Sequence, residues 1–200
     1  MEKYFSSVEG VDMDKLQISE VGKYSVSKPY DAAEISRIIK AYFPVGINTL
    51  IITDATANNG GNTIRFAMDF KYVNSVEISE DQFNILKNNV VVYGFSNVKL
   101  INGDYLRVMT ALNQDVIFID APWGGPEYKS KQNVDLYLGR RNIVNVVDDI
   151  IQNNLCSLCV LKVPINYNFS KLFSKISMSR VDIYKVRNYI IIGIFMDRSY

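Results

Sequence analysis

TLIITDATANNGGNTIRFAMDFKYVNSVEIS, residues 49–79, reads as a strand, a glycine-bearing loop, a helix and a second strand. TLIITDATA (49–57) is an apolar and β-branched run of strand length, and GNTIRFAMDF (61–70) carries helical spacing. YVNSVEIS (72–79) returns to strand composition. A helix between two strands supplies the crossover that parallel pairing requires. Outward from this stretch the alternation repeats. EDQFNILKNNVVVYG (80–94) is helical, with Phe83, Leu86, Val90 and Tyr93 on one face and Gly94 as its stop. NVKLING (97–103) and DVIFID (115–120) are the third and fourth strands, and NVVDDIIQNN (145–154) is a further helix. SLCVLKVP (157–164) is a fifth strand and NFSKLFSKIS (168–177) another helix. VDIYKVR (181–187) and YIIIGIFMD (189–197) meet at Arg187-Asn188, too close for a crossover helix, so they pair antiparallel.

The fold expected from this order is α/β: a doubly wound, mostly parallel, seven-stranded Rossmann-like sheet ending in an antiparallel hairpin. The first 30 residues are polar and poorly periodic, and form an N-terminal arm expected to act as a substrate or cofactor lid, with a disordered tail as the alternative. Asp31-Ala32-Ala33-Glu34 looks like a capping box that opens a helix ending near Phe43-Pro44, so residues 31–200 form the main domain.

Composition narrows the chemistry. The chain has 200 residues, 48% of them hydrophobic and 22% charged, which suits one mixed domain. A net charge of +1 gives no global basic signature, so any nucleic-acid contact is local and a short or capped RNA end suits it better than a duplex. The chain contains no histidine, which excludes serine-histidine hydrolases and histidine-bearing metal sites. Cys156 and Cys159 are spaced as C-x-x-C but lie in a strand-like run without a second ligand pair, and read as buried thiols; no metal is expected. No apolar run approaches the ~20 residues of a membrane span, and MEKYFSSVEGVDMDK lacks the order of a secretory signal, so a soluble, intracellular protein is expected. Methyl transfer from a sulfonium passes these filters, because displacement at that methyl needs alignment and desolvation more than a proton shuttle.

Two loops carry candidate site residues. In DATANNGGNT (54–63), Gly60 and Gly61 let backbone approach a ligand at a helix N-terminus, without the pattern of a pyrophosphate cradle. Asp54 suits the ammonium of a methionine moiety. Glu77, at the end of the second strand, suits a ribose diol, and Asp104, after the third, an adenine amino group. After the fourth strand come Asp120-Ala121-Pro122-Trp123-Gly124-Gly125-Pro126-Glu127-Tyr128. Proline fixes the preceding carbonyls and an aromatic follows on a turn kept sparse by glycines. Asp120, Ala121, Pro122 and Trp123 are the candidate catalytic set. Oxygens there accept amine hydrogens, and the indole offers the best side-chain face for a flat cation.

This loop resembles the (Asp/Asn/Ser)-Pro-Pro-aromatic loop of amine-directed methyltransferases, and the strand order resembles that of class I methyltransferases. APWGGPEY (121–128) with DATANNGGNTIRFA (54–67) more specifically resembles the trimethylguanosine synthase family, the RNA cap guanine-N2 methyltransferases. Members of that family carry Ser-Pro-Pro-Trp-Gly-Gly-Pro-Asp-Tyr and Asp-Ala-Phe-Cys-Gly-x-Gly-Gly-Asn-Thr. The likeness runs with few gaps from about Tyr24 to Pro164, and includes Lys23-Tyr24-Ser25-Val26-Ser27 and Asn88-Asn89 through Tyr93-Gly94.

The resemblance implies S-adenosylmethionine as cofactor, held by Asp54, Glu77 and Asp104, with Tyr24, Ser27, Thr56, Gly60, Asn62 and Tyr105 around it. It implies 7-methylguanine stacked on Trp123, with Pro126, Tyr128, Lys28 and Lys162 on the substrate side, and capped RNA or a cap nucleotide as partner. A monomer is expected, with a partner-subunit role as the alternative. Asp120 stands where the family has serine, Asn58-Asn59 where it has Cys-Gly, and Ile165 where it has a phosphate-binding arginine, leaving Lys162, Lys28 or Arg140-Arg141 to supply that charge.

The rival readings are adenine-N6 transfer, suggested by Asp120; cap ribose 2′-O transfer, suggested by Lys28, Asp120 and Lys162; and an inert cap-binding subunit. No glutamate follows Glu127 to complete a ribose-directed tetrad. Heavy use of Asn, Ile, Lys and Tyr suggests an AT-rich genome. The expected compartment is the nucleus for a cellular enzyme and a cytoplasmic factory for a viral one.

Overall fold

Pro29 opens the first long helix, and the Lys28-Pro29 step is what starts it: proline at the first helical position fixes φ and has no N–H to leave orphaned. The computed structural model describes residues 1–176 and 180–196. The chain forms two compact units, Met1–Gln114 and Asp115–Tyr200. The first contains α1 (Gly22–Ser25), α2 (Pro29–Ala41), β1 (Ile51–Asp54), α3 (Gly61–Asp69), β2 (Tyr72–Glu77), α4 (Glu80–Val92), β3 (Val98–Asn102) and α5 (Tyr105–Val108). The second contains β4 (Val116–Ile119), β5 (Tyr137–Leu138), β6 (Arg141–Asn142), α6 (Ile143–Gln152), β7 (Leu158–Pro164), α7 (Phe169–Lys175), β8 (Arg180–Val186) and β9 (Tyr189–Phe195). The seven-stranded sheet has the order β3-β2-β1-β4-β7-β9-β8. It is mostly parallel with an antiparallel end, as the sequence predicts.

In the first unit β1 pairs with β2 and β2 with β3, all parallel. The pairs Asp54↔Ser75 and Glu77↔Asn102 set a stagger: Glu77 lies two residues beyond Asp54's partner, and Asp104 two beyond Glu77's. In the second unit β4 pairs parallel with β7, then β7 with β9 and β9 with β8 antiparallel. Val186↔Tyr189 closes the hairpin on Arg187-Asn188, with Arg187 left-handed at φ 51°.

Several boundaries differ from the sequence reading. β1 is Ile51–Asp54 rather than 49–57, because Thr49 belongs to a 3-10 turn and the Ala57 N–H turns aside to the Val76 carbonyl. The expected Asp31 cap is replaced by Lys28, which makes no side-chain cap, and Asp31 lies inside the first turn; α2 ends at Ala41. α6 starts at Ile143, where the Asn142 side chain accepts from the Val144 N–H. The last residues of two expected elements, Ser177 and Asp197, lie outside the described residues. The β5–β6 hairpin was not foreseen.

The N-terminal arm packs into the first unit: Phe5, Leu16 and Val26 are buried with Ile64 and Tyr93. Amides tie it down. Asn89 donates to the Gln17 and Asn59 carbonyls at 2.9 Å, and Asn59 Oδ1 accepts from Ser19 N and Oγ at 2.9 Å. Cys156 and Cys159 are both 0% exposed, and burial pushes the Cys159 thiol well above its ordinary range. Among the described residues, no helix is long and apolar enough to cross a membrane.

Candidate functional site

The first unit places its candidate residues where parallel strands end. Asp54, last in β1, is 0% exposed and accepts from Thr63 Oγ1 at 2.7 Å. Glu77, last in β2 and 9% exposed, accepts the Asn58 N–H on Oε2 at 2.7 Å and the Ser79 N–H on Oε1 at 2.8 Å. Each oxygen keeps a second acceptor site, which suits a vicinal diol. Asp104 caps α5, with Oδ1 accepting from the Leu106 N–H at 3.0 Å.

Gly60 caps α3 at φ 97°, and Thr56 lies half-buried in the turn before it. At Gly61 a Cβ would sit 2.4 Å from the Ser27 carbonyl oxygen, so what comes close to this glycine is the arm of the chain itself. Buried Ser27 accepts from Asn62 Nδ2 at 3.0 Å, while Asn62 Oδ1 is buried with no hydrogen-bond partner. A buried acceptor without a donor suits a ligand ammonium or amine. Together with the diol-ready Glu77, it makes this donor set fit S-adenosylmethionine. Tyr24 and Lys28 are exposed, whereas Tyr105 is 2% exposed and packs in the core, its hydroxyl 3.4 Å from Gln114 Oε1.

In the second unit Asp120 follows β4 directly. The register Ile119↔Leu161 brings it level with Lys162 of β7, and Lys162 Nζ donates to Asp120 Oδ2 at 2.7 Å. Their side chains are only 15% and 10% exposed. Burial pushes the Asp120 carboxyl above its ordinary range. The Lys162 charge and hydrogen bond, and the Trp123 indole, pull in the opposite direction without overcoming it. The Lys162 ammonium also lies 5.5 Å from the Trp123 ring centroid and 5.3 Å from that of Tyr189.

Trp123 is half-buried and meets Tyr128 edge-on, with centroids 5.0 Å apart and planes at 83°. Gly124 and Gly125, at φ 87° and 72°, turn the chain into a 3-10 segment, Pro126–Ser130. The Tyr128 carbonyl of that segment accepts from Asn166 Nδ2 at 2.8 Å. Ala121 is buried; Pro122 and Pro126 are exposed.

A cavity of about 610 Å³ opens beside this loop, lined by Pro122, Trp123 and Gly124 and, from the following segment, Lys131, Asp135 and Tyr137. These last three were missed from sequence. Gly139, at φ 59° between Leu138 and Arg140, was the available sign of a tight hairpin there. Arg141 is engaged with Asp149 at 2.5 Å, and Arg140 is exposed at the hairpin turn. Among the described residues no group of three His, Cys, Asp or Glu side chains is arranged to hold a metal ion.

This loop brings together an aromatic face, backbone oxygens and a charge-paired carboxylate. The model of the RNA cap guanine-N2 methyltransferase family matches residues 49–193. An uncharacterized protein of Acanthamoeba polyphaga mimivirus is 35% identical over 68% of this chain and 56% of its own length. The trimethylguanosine synthase of Saccharomyces cerevisiae is 30% identical over 63% of this chain and 41% of its own. The chain thus spans about half the length of the curated relatives it matches. A 16S rRNA N2 methyltransferase from T. thermophilus, solved with AdoMet and guanosine, superposes at a TM-score of 0.65 with 16% identity, covering 86% of this chain and 44% of that one. With a family match across most of its length, on the fold and loop order set out above, this chain belongs to the RNA cap guanine-N2 methyltransferase family.

Proposed function

We propose that this chain transfers a methyl group from S-adenosylmethionine to the exocyclic N2 of 7-methylguanosine in an RNA cap, acting as a monomer. The observation that carries the reading is Trp123 on the loop after β4, beside Asp120. When bound, the cofactor supplies an electrophilic methyl on a sulfonium. That methyl would pass to N2 with its proton leaving to solvent, and what the residues of this chain supply is alignment of the amine.

The chain's part is positioning. Trp123 stacks on the flat, positively charged ring, and the Asp120 carboxylate and Ala121 carbonyl accept N2 hydrogens and aim its lone pair. Glu77 takes the ribose hydroxyls, Asp104 the adenine amino group, and Asp54 with Asn62 the methionine end. Ser27 and Tyr24 extend that set from the arm. The 2.7 Å Lys162–Asp120 pair favours a second reading, cap ribose 2′-O transfer, in which lysine and aspartate activate a hydroxyl.

Labelled S-adenosylmethionine is incubated with 7-methyl-GTP, GTP, a capped RNA and an adenine oligonucleotide, and mass spectrometry locates the label. Transfer to 7-methyl-GTP but not GTP is expected; label only on ribose or adenine rejects the reading. Trp123→Ala is expected to weaken cap-analogue binding by about 1–3 kcal/mol, measured by fluorescence titration.

A further inference from the structure

Tyr137 stands between two cavities of the second unit. It lines the 610 Å³ cavity that contains Trp123. It also lines a second, of about 380 Å³, with Asn142, Asn145, Lys171 and Lys175. Its side chain is held out by the β5–β6 ladder, where it lies opposite Asn142, and the residue is 46% exposed. An aromatic of that exposure, unneeded by the core, is a platform for an unstacked base. Lysines mark both sides: Lys131 in the first cavity, Lys171 and Lys175 four apart on α7 in the second.

We propose that these two cavities form a short track for the single-stranded RNA that follows the cap, with Tyr137 stacking on an early nucleotide and Lys131, Lys171 and Lys175 meeting phosphates. The proposal rests on Trp123 being the cap platform, because continuity with that cavity fixes where the chain enters. The alternation of cation, aromatic and cation matches how single strands are held without sequence readout. A track of one or two nucleotides also agrees with a net charge of +1, which supports no long electrostatic path.

Lys171 is bound to Asp135 at 2.6 Å and Lys175 to Asp148 at 3.0 Å. These lysine side chains are 53% and 44% exposed, and ion pairs in that setting are weak enough for a phosphate to displace the carboxylate. Asn145, which accepts from Lys175 Nζ at 3.0 Å, and Asn142 add neutral partners for sugar hydroxyls.

The test is fluorescence anisotropy of a 3′-labelled capped pentanucleotide, competed by 7-methyl-GTP, with methyl transfer to each followed in parallel. The wild-type chain is expected to bind the pentanucleotide at least about five-fold more tightly than 7-methyl-GTP. Tyr137→Ala is expected to remove most of that ratio, and Tyr137→Phe to keep it, since the stacking face remains. Lys171→Gln with Lys175→Gln is expected to flatten the dependence of log affinity on log salt by about 1.4, two phosphates' worth for a single strand.

Equal affinity for the two ligands, a ratio untouched by Tyr137→Ala, or binding of neither overturns the track. Equal displacement of the pentanucleotide by polyglutamate also overturns it, in favour of an acidic protein partner. If methyl transfer fails while the Tyr137-dependent ratio persists, the catalytic reading falls and the track stands. Transfer to 7-methyl-GTP without the ratio does the reverse.

Discussion

A carboxylate as buried as that of Asp120 would be costly alone, and the Lys162 ammonium 2.7 Å away balances its charge. The two residues are best treated as one unit, since both side chains are at most 15% exposed. Replacing one strands the other. Lys162→Met is expected to cost about 3 kcal/mol, as for breaking a buried pair, whereas Lys162→Met combined with Asp120→Ser leaves no unpaired charge and recovers most of the loss. Urea denaturation checks this; additive losses in the double variant reject the coupling. Sequence displayed both residues as candidates but not their distance, because 42 positions separate them and only the β4–β7 register brings them level. Tyr105 shows the opposite case. The first-motif and acid-bearing loops were legible, but an aromatic next to Asp104 gave no sign from its neighbours whether it faces a ligand or the core.

At the scale of elements, α3 is held at both ends. Its first residue, Gly61, touches the arm so closely that Gly61→Ala must push away the Ser27 carbonyl, a backbone atom with little freedom to move. Gly61→Ala is expected to lower S-adenosylmethionine affinity at least about ten-fold through displacement of Ser27 and Asn62, a loss of about 1.4 kcal/mol measurable by calorimetry. At its other end Asp69 gathers Ser36 and Lys40 of α2 and Arg65 of its own helix. Burial pushes the Asp69 carboxyl up, but those three partners together outweigh it and hold it below 3.8. A depressed folded value means the stabilisation is present above the unfolded value and is lost as pH falls through the folded one. Asp69→Asn is therefore expected to lower stability by about 1–3 kcal/mol at neutral pH, with the difference from wild type shrinking below pH 3.8 in urea melts. Long elements were legible for different reasons, α4 through helical spacing over several turns and β7 through a continuous buried run of strand length. β5 and β6 have two residues each, too few for any period to show, and the cavities they border were hidden with them.

For the whole molecule, alternation of strand and helix from residue 51 and the closing pair at Arg187-Asn188 determined the architecture without reference to the site. The arm was harder to read, since Phe5, Leu16 and Val26 are too widely spaced for a pattern and become a core only against Ile64 and Tyr93.

One further property follows from Cys156 and Cys159, the two cysteines of the chain, both buried, Cys159 in β7 between β4 and β9 and Cys156 two residues before that strand begins. An alkylating reagent reaches them only when that strand leaves the sheet, so their modification is an internal clock for opening of the second unit. At neutral pH alkylation is expected to run at least about a thousand-fold slower than in denaturant. Intact-mass spectra taken during the reaction should show unmodified and doubly modified chains with little singly modified intermediate. A dominant single adduct would mean that β7 frays from one end instead of opening as a piece.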